Sequence, residues 1–238
     1  LEVLPVRGEA FRYYPTTEAV LADIPNPAAL VTSICTGGGA GRDLVPILKG
    51  RCPTIALQDF WLSPFRANGS WREVQYRPDA FIVNDDLGAA CVRPDWEDGA
   101  REGRIHVVGY AALDALATFD VSSAAREVDE QLGLTPDARV VLYIGGVERT
   151  SAILAQVIAA CAVVEARGQR LVFIPRAHPS MRDLAPAEAE QWNAVLQSCG
   201  LTRLITDART VTDATALVAR ASVVISTHSS VLLHAAAL

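Results

Sequence analysis

Two segments of the chain set histidine, serine and arginine directly after apolar runs, where a strand would hand them to a ligand. Ser222-Val-Val-Ile-Ser-Thr-His-Ser-Ser230 is a β-branched run ending in polar residues, followed by the apolar Val231 to Leu238. It predicts a buried strand, a tight polar turn and the first turns of a helix. Arg170-Leu-Val-Phe-Ile-Pro-Arg-Ala-His178-Pro-Ser180 repeats that order. In open α/β sheets ligands collect beyond the carboxyl ends of strands, and a helix start there offers free N–H groups to an anion. Two such strands side by side would bring Arg176, His178, His228, Ser229 and Ser230 to one rim, a suitable site for a phosphate or a nucleotide sugar. A neutral imidazole at His178 can hydrogen-bond a phosphate or move a proton near neutral pH. Ser229 or Ser230 also reads as an N-cap, and capping is compatible with ligand binding at the same turn.

Other candidates have both a functional and an ordinary reading. Thr36-Gly-Gly-Gly-Ala-Gly41 precedes the helical run Leu44–Lys49. It has neither the GK[ST] ending of a triphosphate loop nor the GxGxxG register of a dinucleotide fold. Gly37, Gly38 and Gly39 are therefore either a tight turn or a backbone that must approach a ligand closely. Gly145 and Gly146 follow an apolar run and precede Glu148-Arg149-Thr150, so their amides and Arg149 can face an anion, as in many strand-to-helix turns. Asp59 and Asp85 each follow a short apolar run. Asp85 reads as a turn or helix-start carboxylate or as a partner for a substrate hydroxyl. Phe60 and Trp61 are expected to shield Asp59 and raise its pKa. His228 and His234 stand six residues apart, which does not place them on one helical face, so no metal site is expected. The chain has no nucleophile elbow, kinase set or HExxH motif.

The elements that must position these groups alternate regularly. Strands are expected at Ala29–Cys35, Thr54–Gln58, Ala80–Val83, Ile105–Val108, Val140–Ile144, Leu171–Ile174, Arg203–Ile205 and Val223–Ser226. Most are continuous apolar runs, as in parallel sheets covered on both faces. Helical patterns lie between them: Ala124–Leu132, Thr150–Arg167 stopping at Gly168, and Ala187–Ser198 stopping near Gly200. Such βαβα alternation predicts an α/β fold of two Rossmann-like, doubly wound parallel-sheet domains, residues 1–117 and 118–238, facing a cleft.

Composition narrows the class. Half of the 238 residues are hydrophobic and 20% are charged, which describes a globular chain. A net charge of −6, from 21 basic and 27 acidic residues, argues against a nucleic-acid partner. The five cysteines are scattered, with no CxxC pair, which fits reduced thiols and a cytoplasmic protein. No apolar run reaches the roughly 18 residues of a membrane span, although peripheral membrane association stays open. There is no signal-peptide pattern, and Leu1 and the uncapped His234-Ala-Ala-Ala-Leu238 suggest that both ends of the natural chain lie beyond this sequence.

Taken in order, these motifs resemble the GT-B superfamily of nucleotide-sugar glycosyltransferases and UDP-N-acetylglucosamine 2-epimerases. Val31–Gly39 is similar to its first-half strand and glycine turn, and Pro53–Phe60 to a strand carrying an acid. Pro78–Asp85 resembles its "pD.i.v.de" segment. Arg104-Ile-His-Val-Val-Gly-Tyr-Ala-Ala-Leu-Asp114 is similar to "RI.VTGnp.lDal", with Tyr110-Ala111-Ala112 in place of the Asn-Pro type turn. His178-Pro-Ser180 resembles the "HP" turn and Ser226–Ala236 the "SSSvl.EA" donor turn, where His234 replaces the acid.

The resemblance implies a glycosyltransferase-like, metal-independent enzyme of carbohydrate biosynthesis. Its nucleotide-diphosphate donor would be held mainly by the C-terminal half, in the inter-domain cleft. Gly145, Gly146, Arg149, Arg176, His178, His228, Ser229, Ser230 and His234 would form the donor side, and Gly37, Gly38, Gly39 and Asp85 the acceptor side. His178 would assist departure of the diphosphate, and Asp59 would act as base toward an unknown acceptor. The nucleotide sugar is then a substrate, and no cofactor is expected. Two alternatives stay open: a 2-epimerase, which would need several carboxylates around the sugar, and a non-catalytic binding or assembly module.

Overall fold

The computed structural model describes residues 2–3, 12–14, 16–33, 40–59, 61–66, 68–206, 213–227 and 229–238. The chain divides into two units, Leu1–Ala111 and Ala112–Leu238, where the sequence pattern drew its boundary after residue 117.

The first unit opens with two short antiparallel strands, β1 (Glu2–Val3) and β2 (Arg12–Tyr13). Helix α1 (Thr17–Asp23) follows, capped by Thr16, whose Oγ1 accepts the Ala19 N–H at 3.2 Å. Then come β3 (Leu30–Ser33), α2 (Ala40–Leu48), β4 (Thr54–Leu57), β5 (Ala80–Val83), α3 (Asp86–Val92), α4 (Glu97–Arg101) and β6 (Ile105–Val107). Among the described residues the four later strands form a parallel sheet in the order β3-β4-β5-β6. Ala56, Phe81 and Val83 point to a buried core shared with Leu44, Val45 and Leu48 of α2, Ala89 and Val92 of α3, and Trp96. Phe65 packs edge-on against Phe81, with ring centroids 5.2 Å apart. Helix α2 starts before the expected Leu44, and a side chain at Gly41 would overlap Thr32 Oγ1. That glycine is required by the packing of helix on strand.

Short helix α5 (Ala111–Asp114) spans the division. The second unit continues through α6 (Val121–Leu132), β7 (Val140–Ile144), α7 (Ser151–Ala166), β8 (Val172–Arg176), α8 (Met181–Leu184), α9 (Pro186–Gln197), α10 (Ala214–Arg220), β9 (Val223–Ser226) and α11 (Val231–Ala237). Strand β7 lies in the middle, parallel to β8 on one side and β9 on the other. The expected strand Arg203–Ile205 is reduced to a single parallel bridge, Leu204 to Phe173, on the outer side of β8.

Both faces of β7 and β8 are covered, which is why they read as unbroken apolar runs; β9, expected to be buried, is an edge strand with Val223 exposed and its other residues half-buried. Val140, Leu142, Ile144, Val172 and Ile174 face a cluster with Ala124 and Val128 of α6 and Leu217 of α10. Tyr143 and Phe173 face the other way, toward Leu154, Val157 and Cys161 of α7 and Trp192 of α9. An ion pair between Arg220 and Asp129, both largely buried, joins α10 to α6. Arg220 also donates to the Thr135 and Ala138 carbonyls at 2.9 and 3.1 Å, fixing the turn into β7.

Candidate functional site

In the second unit the chain places β7, β8 and the Leu204 bridge successively to one side, then returns to place β9 on the other side of β7. The strand order therefore reverses between β7 and β9. In open parallel sheets the loops leaving the carboxyl ends at such a point diverge and leave a crevice for a ligand. The register puts Ile144 of β7 opposite Arg176 on β8 and Ser226 on β9. Those three residues mark the carboxyl edge, and the loops beyond them carry most of the donor-side residues expected from the sequence.

Arg176 is half-buried at this edge. Burial pushes its guanidinium down from its ordinary pKa, while the nearby charge of Asp213 opposes that shift. An arginine stays cationic under such a perturbation, so the edge holds a partly desolvated positive charge. The Arg176 carbonyl accepts the Gly145 N–H at 2.9 Å, which extends the ladder past the end of β7. Ser226 Oγ is buried without a hydrogen-bond partner among the described residues.

His178 is exposed, and its Nδ1 accepts the Ser180 N–H at 3.1 Å. In the neutral ring the proton must then sit on Nε2, which becomes a donor on the rim. On the β9 side Ser229 Oγ accepts the Val231 N–H at 3.3 Å, and Ser230 occupies the N-cap position of α11 without a side-chain cap bond. His228 lies outside the described residues. His234 Nδ1 is 3.0 Å from Thr215 Oγ1, which docks α11 on α10.

The turn after β7 has an ordinary explanation for its first glycine. A Cβ at Gly145 would come within 2.6 Å of the Trp192 ring, so the position is closed by packing from below. The Gly145 N–H, expected to face an anion, is taken by the Arg176 carbonyl, and the amides that open α7 are partnered as well. Glu188 of α9 accepts the Thr150 and Ser151 N–H groups at 2.7 and 2.6 Å. Arg149 adopts φ +57°, and it alone among the described non-glycine residues has a positive φ. Its side chain is exposed. The sequence pattern did not single out Glu188, because a carboxylate in the first turn of α9 is an ordinary helix feature and its partners lie far away in the chain. Among the described residues no group of three or more His, Cys, Asp or Glu side chains is gathered as a metal site.

No protein-family model and no curated protein sequence matches the chain, but solved structures do. The UDP-GlcNAc 2-epimerase from Neisseria meningitidis bound to UDP-GlcNAc aligns with a TM-score of 0.60 and 14% identity, over 90% of this chain and 57% of that one. The S. aureus MnaA structure with UDP aligns at 0.57 and 14%, over 90% and 56%. The UDP-GlcNAc 2-epimerase from Methanocaldococcus jannaschii aligns at 0.53 and 15%, over 93% and 61%. The chain shares the fold of these structures, with two α/β units each built on a parallel sheet. The chain spans 56% to 61% of the length of these structures.

The remaining expected residues lie in the first unit. Gly37, Gly38 and Gly39 are outside the described residues. Asp59 is exposed at the end of β4, so the shielding expected from its aromatic neighbours is not realised. The indole of Trp61 turns to Asp85, with Nε1 at 2.9 Å from both carboxylate oxygens. Asp85 also caps α3, accepting the Gly88 N–H at 2.7 Å. Tyr110 packs edge-on against Trp61, with centroids 5.5 Å apart. Two buried amides escaped the sequence pattern. Gln58 at the end of β4 accepts the Asn84 N–H at 3.3 Å, and Asn84 Nδ2 has no partner among the described residues. No helix among those residues is long and apolar enough to cross a membrane.

Proposed function

We propose that the second unit binds a nucleoside-diphosphate sugar at the carboxyl edge of its sheet, and that the protein is a glycosyltransferase-like enzyme using that sugar as donor. The reversal of strand order between β7 and β9 carries the reading, because it sets a half-buried arginine, an orphan buried hydroxyl and an outward imidazole donor around one edge. The fold adds support: structures sharing it were solved with UDP-GlcNAc and with UDP.

In this reading Arg176 and Arg149 face the diphosphate and His178 Nε2–H donates to it. Positive charge and fixed donors aimed at a departing diphosphate lower the barrier because the charge they meet grows as the glycosidic bond breaks. Asp59, exposed at the end of β4, is the acceptor-side base. The donor is consumed as substrate, so the reaction needs no resident cofactor. A 2-epimerase is the second reading, favoured by what the neighbouring structures are. Against it, the Asp85 carboxylate is already engaged by Trp61 and the start of α3.

Calorimetric titration with UDP, UDP-GlcNAc and the corresponding GDP-, CDP- and dTDP-sugars tests the site, with Arg176→Ala and His178→Ala as controls. Binding of at least one nucleotide, weakened about tenfold or more in both variants, is expected from the loss of a charge-assisted hydrogen bond. Absence of binding to every nucleotide would remove both enzymatic readings. If binding occurs, release of free nucleotide in the presence of an acceptor identifies transfer, and conversion of the sugar without nucleotide release identifies epimerisation.

A further inference from the structure

Helix α9 reaches back to the loop after β7 and holds it at several points. Glu188 Oε1 takes the N–H groups of Thr150 and Ser151, the two residues directly after Arg149. Gln191 Oε1 accepts the Ser151 hydroxyl at 3.2 Å. Trp192, one turn beyond Glu188, fills the space beside Gly145 and stacks on Tyr143. The Tyr143 hydroxyl in turn donates to the Thr150 carbonyl at 2.9 Å. Glu188, Gln191 and Trp192 stand at i, i+3 and i+4, the spacing that puts three side chains on one helix face.

The arrangement has two consequences. Successive amides at the start of a long helix form a natural anion site; here the anion is a carboxylate of the chain itself. An added phosphate therefore finds the Thr150 and Ser151 amides already taken. Meanwhile Arg149, between Glu148 and the helix, is kept in a left-handed conformation that an ordinary side chain adopts only when its surroundings impose it. The two residues that follow it, Thr150 and Ser151, are held by Glu188.

We infer that Glu188 is a positioning residue for the nucleotide-sugar site: through the amides of Thr150 and Ser151 it fixes the backbone that carries the exposed Arg149 guanidinium beyond the carboxyl end of β7. This rests on reading that edge as the nucleotide-sugar site. Glu188 is not itself a ligand contact, so its effect must pass through Arg149.

The test is a double-mutant cycle read by titration with UDP-GlcNAc, together with amide hydrogen exchange of the unliganded protein. Glu188→Ala and Arg149→Ala are each expected to weaken binding about tenfold, and the double variant to bind no more weakly than Arg149→Ala alone. Glu188→Gln keeps an acceptor oxygen and guards against a variant that fails to fold; it should retain part of the affinity. Amides 150 and 151 should lose protection in Glu188→Ala while the sheet does not. Losses that multiply in the double variant, or wild-type affinity in Glu188→Ala, would overturn the inference and leave Glu188 as a helix cap. Wild-type protein that binds no nucleotide, with protection at 150 and 151 still dependent on Glu188, would overturn the nucleotide reading but support the hold on the loop. Protection unchanged in Glu188→Ala would overturn that hold as well.

Discussion

Trp192 lies nearly parallel to Tyr143, with ring centroids 5.5 Å apart and planes 20° apart, beneath the turn that starts at Gly145. The indole leaves no room for a Cβ above it. Gly145→Ala is expected to destabilise the protein by about 1–3 kcal/mol, the usual cost of forcing atoms into a packed interior. Denaturant unfolding measures this. Adding Trp192→Leu should make the Gly145→Ala change less costly than it is alone, because the overlapping ring is gone. Equal costs in both backgrounds would show that the ring does not set the requirement for glycine.

Much of the second unit was legible in the sequence because both faces of β7 and β8 are covered. Val140–Ile144 matches its expected span because five consecutive apolar residues lie in the covered middle strand; Val223–Ser226 matches as well, although it lies at the edge with Val223 exposed and the rest half-buried. Arg203–Ile205 was less legible: its pattern is that of a strand, but only Leu204 pairs. Strand β8 runs on to Arg176 through Pro175, residues whose types do not announce a strand. The site divides in the same way. His178 and Ser229 were visible as polar residues after apolar runs. The roles of Glu188 and Trp192 were hidden, because they depend on α9 folding back over a loop that precedes it by nearly 40 residues. No local pattern encodes such a contact.

Acid should weaken the link between α9 and α7. Burial pushes the Glu188 carboxyl up, but the amides of Ser151, Thr150 and Arg149 outweigh it and hold its pKa below the ordinary 4.5. A carboxylate with a depressed folded-state pKa stabilises the fold above its unfolded-state value and loses that contribution as pH falls through the folded-state value. The stability difference between wild type and Glu188→Gln is therefore expected to be constant from neutral pH down to about 5 and to shrink below 4.5. Urea unfolding across that range measures it. A difference that grows on acidification would contradict the assigned contact.

The pair Arg220–Asp129 should contribute more to stability than an exposed ion pair, because the two side chains are only 9% and 16% exposed. Removing one partner strands the other charge, and in Arg220→Ala the Thr135 and Ala138 carbonyls also lose a donor. A loss of about 3 kcal/mol is expected. Arg220→Met combined with Asp129→Asn should recover part of it, since no charge is then left buried. An Arg220→Ala variant within about 0.5 kcal/mol of wild type would mean that solvent replaces the contacts at little cost.

His178 allows its structural and ligand roles to be separated within one side chain. Nδ1 accepts the Ser180 N–H at 3.1 Å, a bond internal to the turn, and Nε2 is left as the donor proposed to meet the diphosphate. Asparagine places an acceptor oxygen near the position of Nδ1 and nothing at Nε2. His178→Asn is therefore expected to melt within a few degrees of wild type, because the turn keeps its bond, while affinity for UDP-GlcNAc falls about tenfold. His178→Gln reverses the geometry: its longer side chain can reach toward the Nε2 position but leaves the Ser180 N–H without its acceptor. It should keep more affinity than His178→Asn and lose more thermal stability. Thermal melts and titrations of the two variants, run side by side, decide the assignment. Equal affinity in both would take His178 Nε2 out of the site.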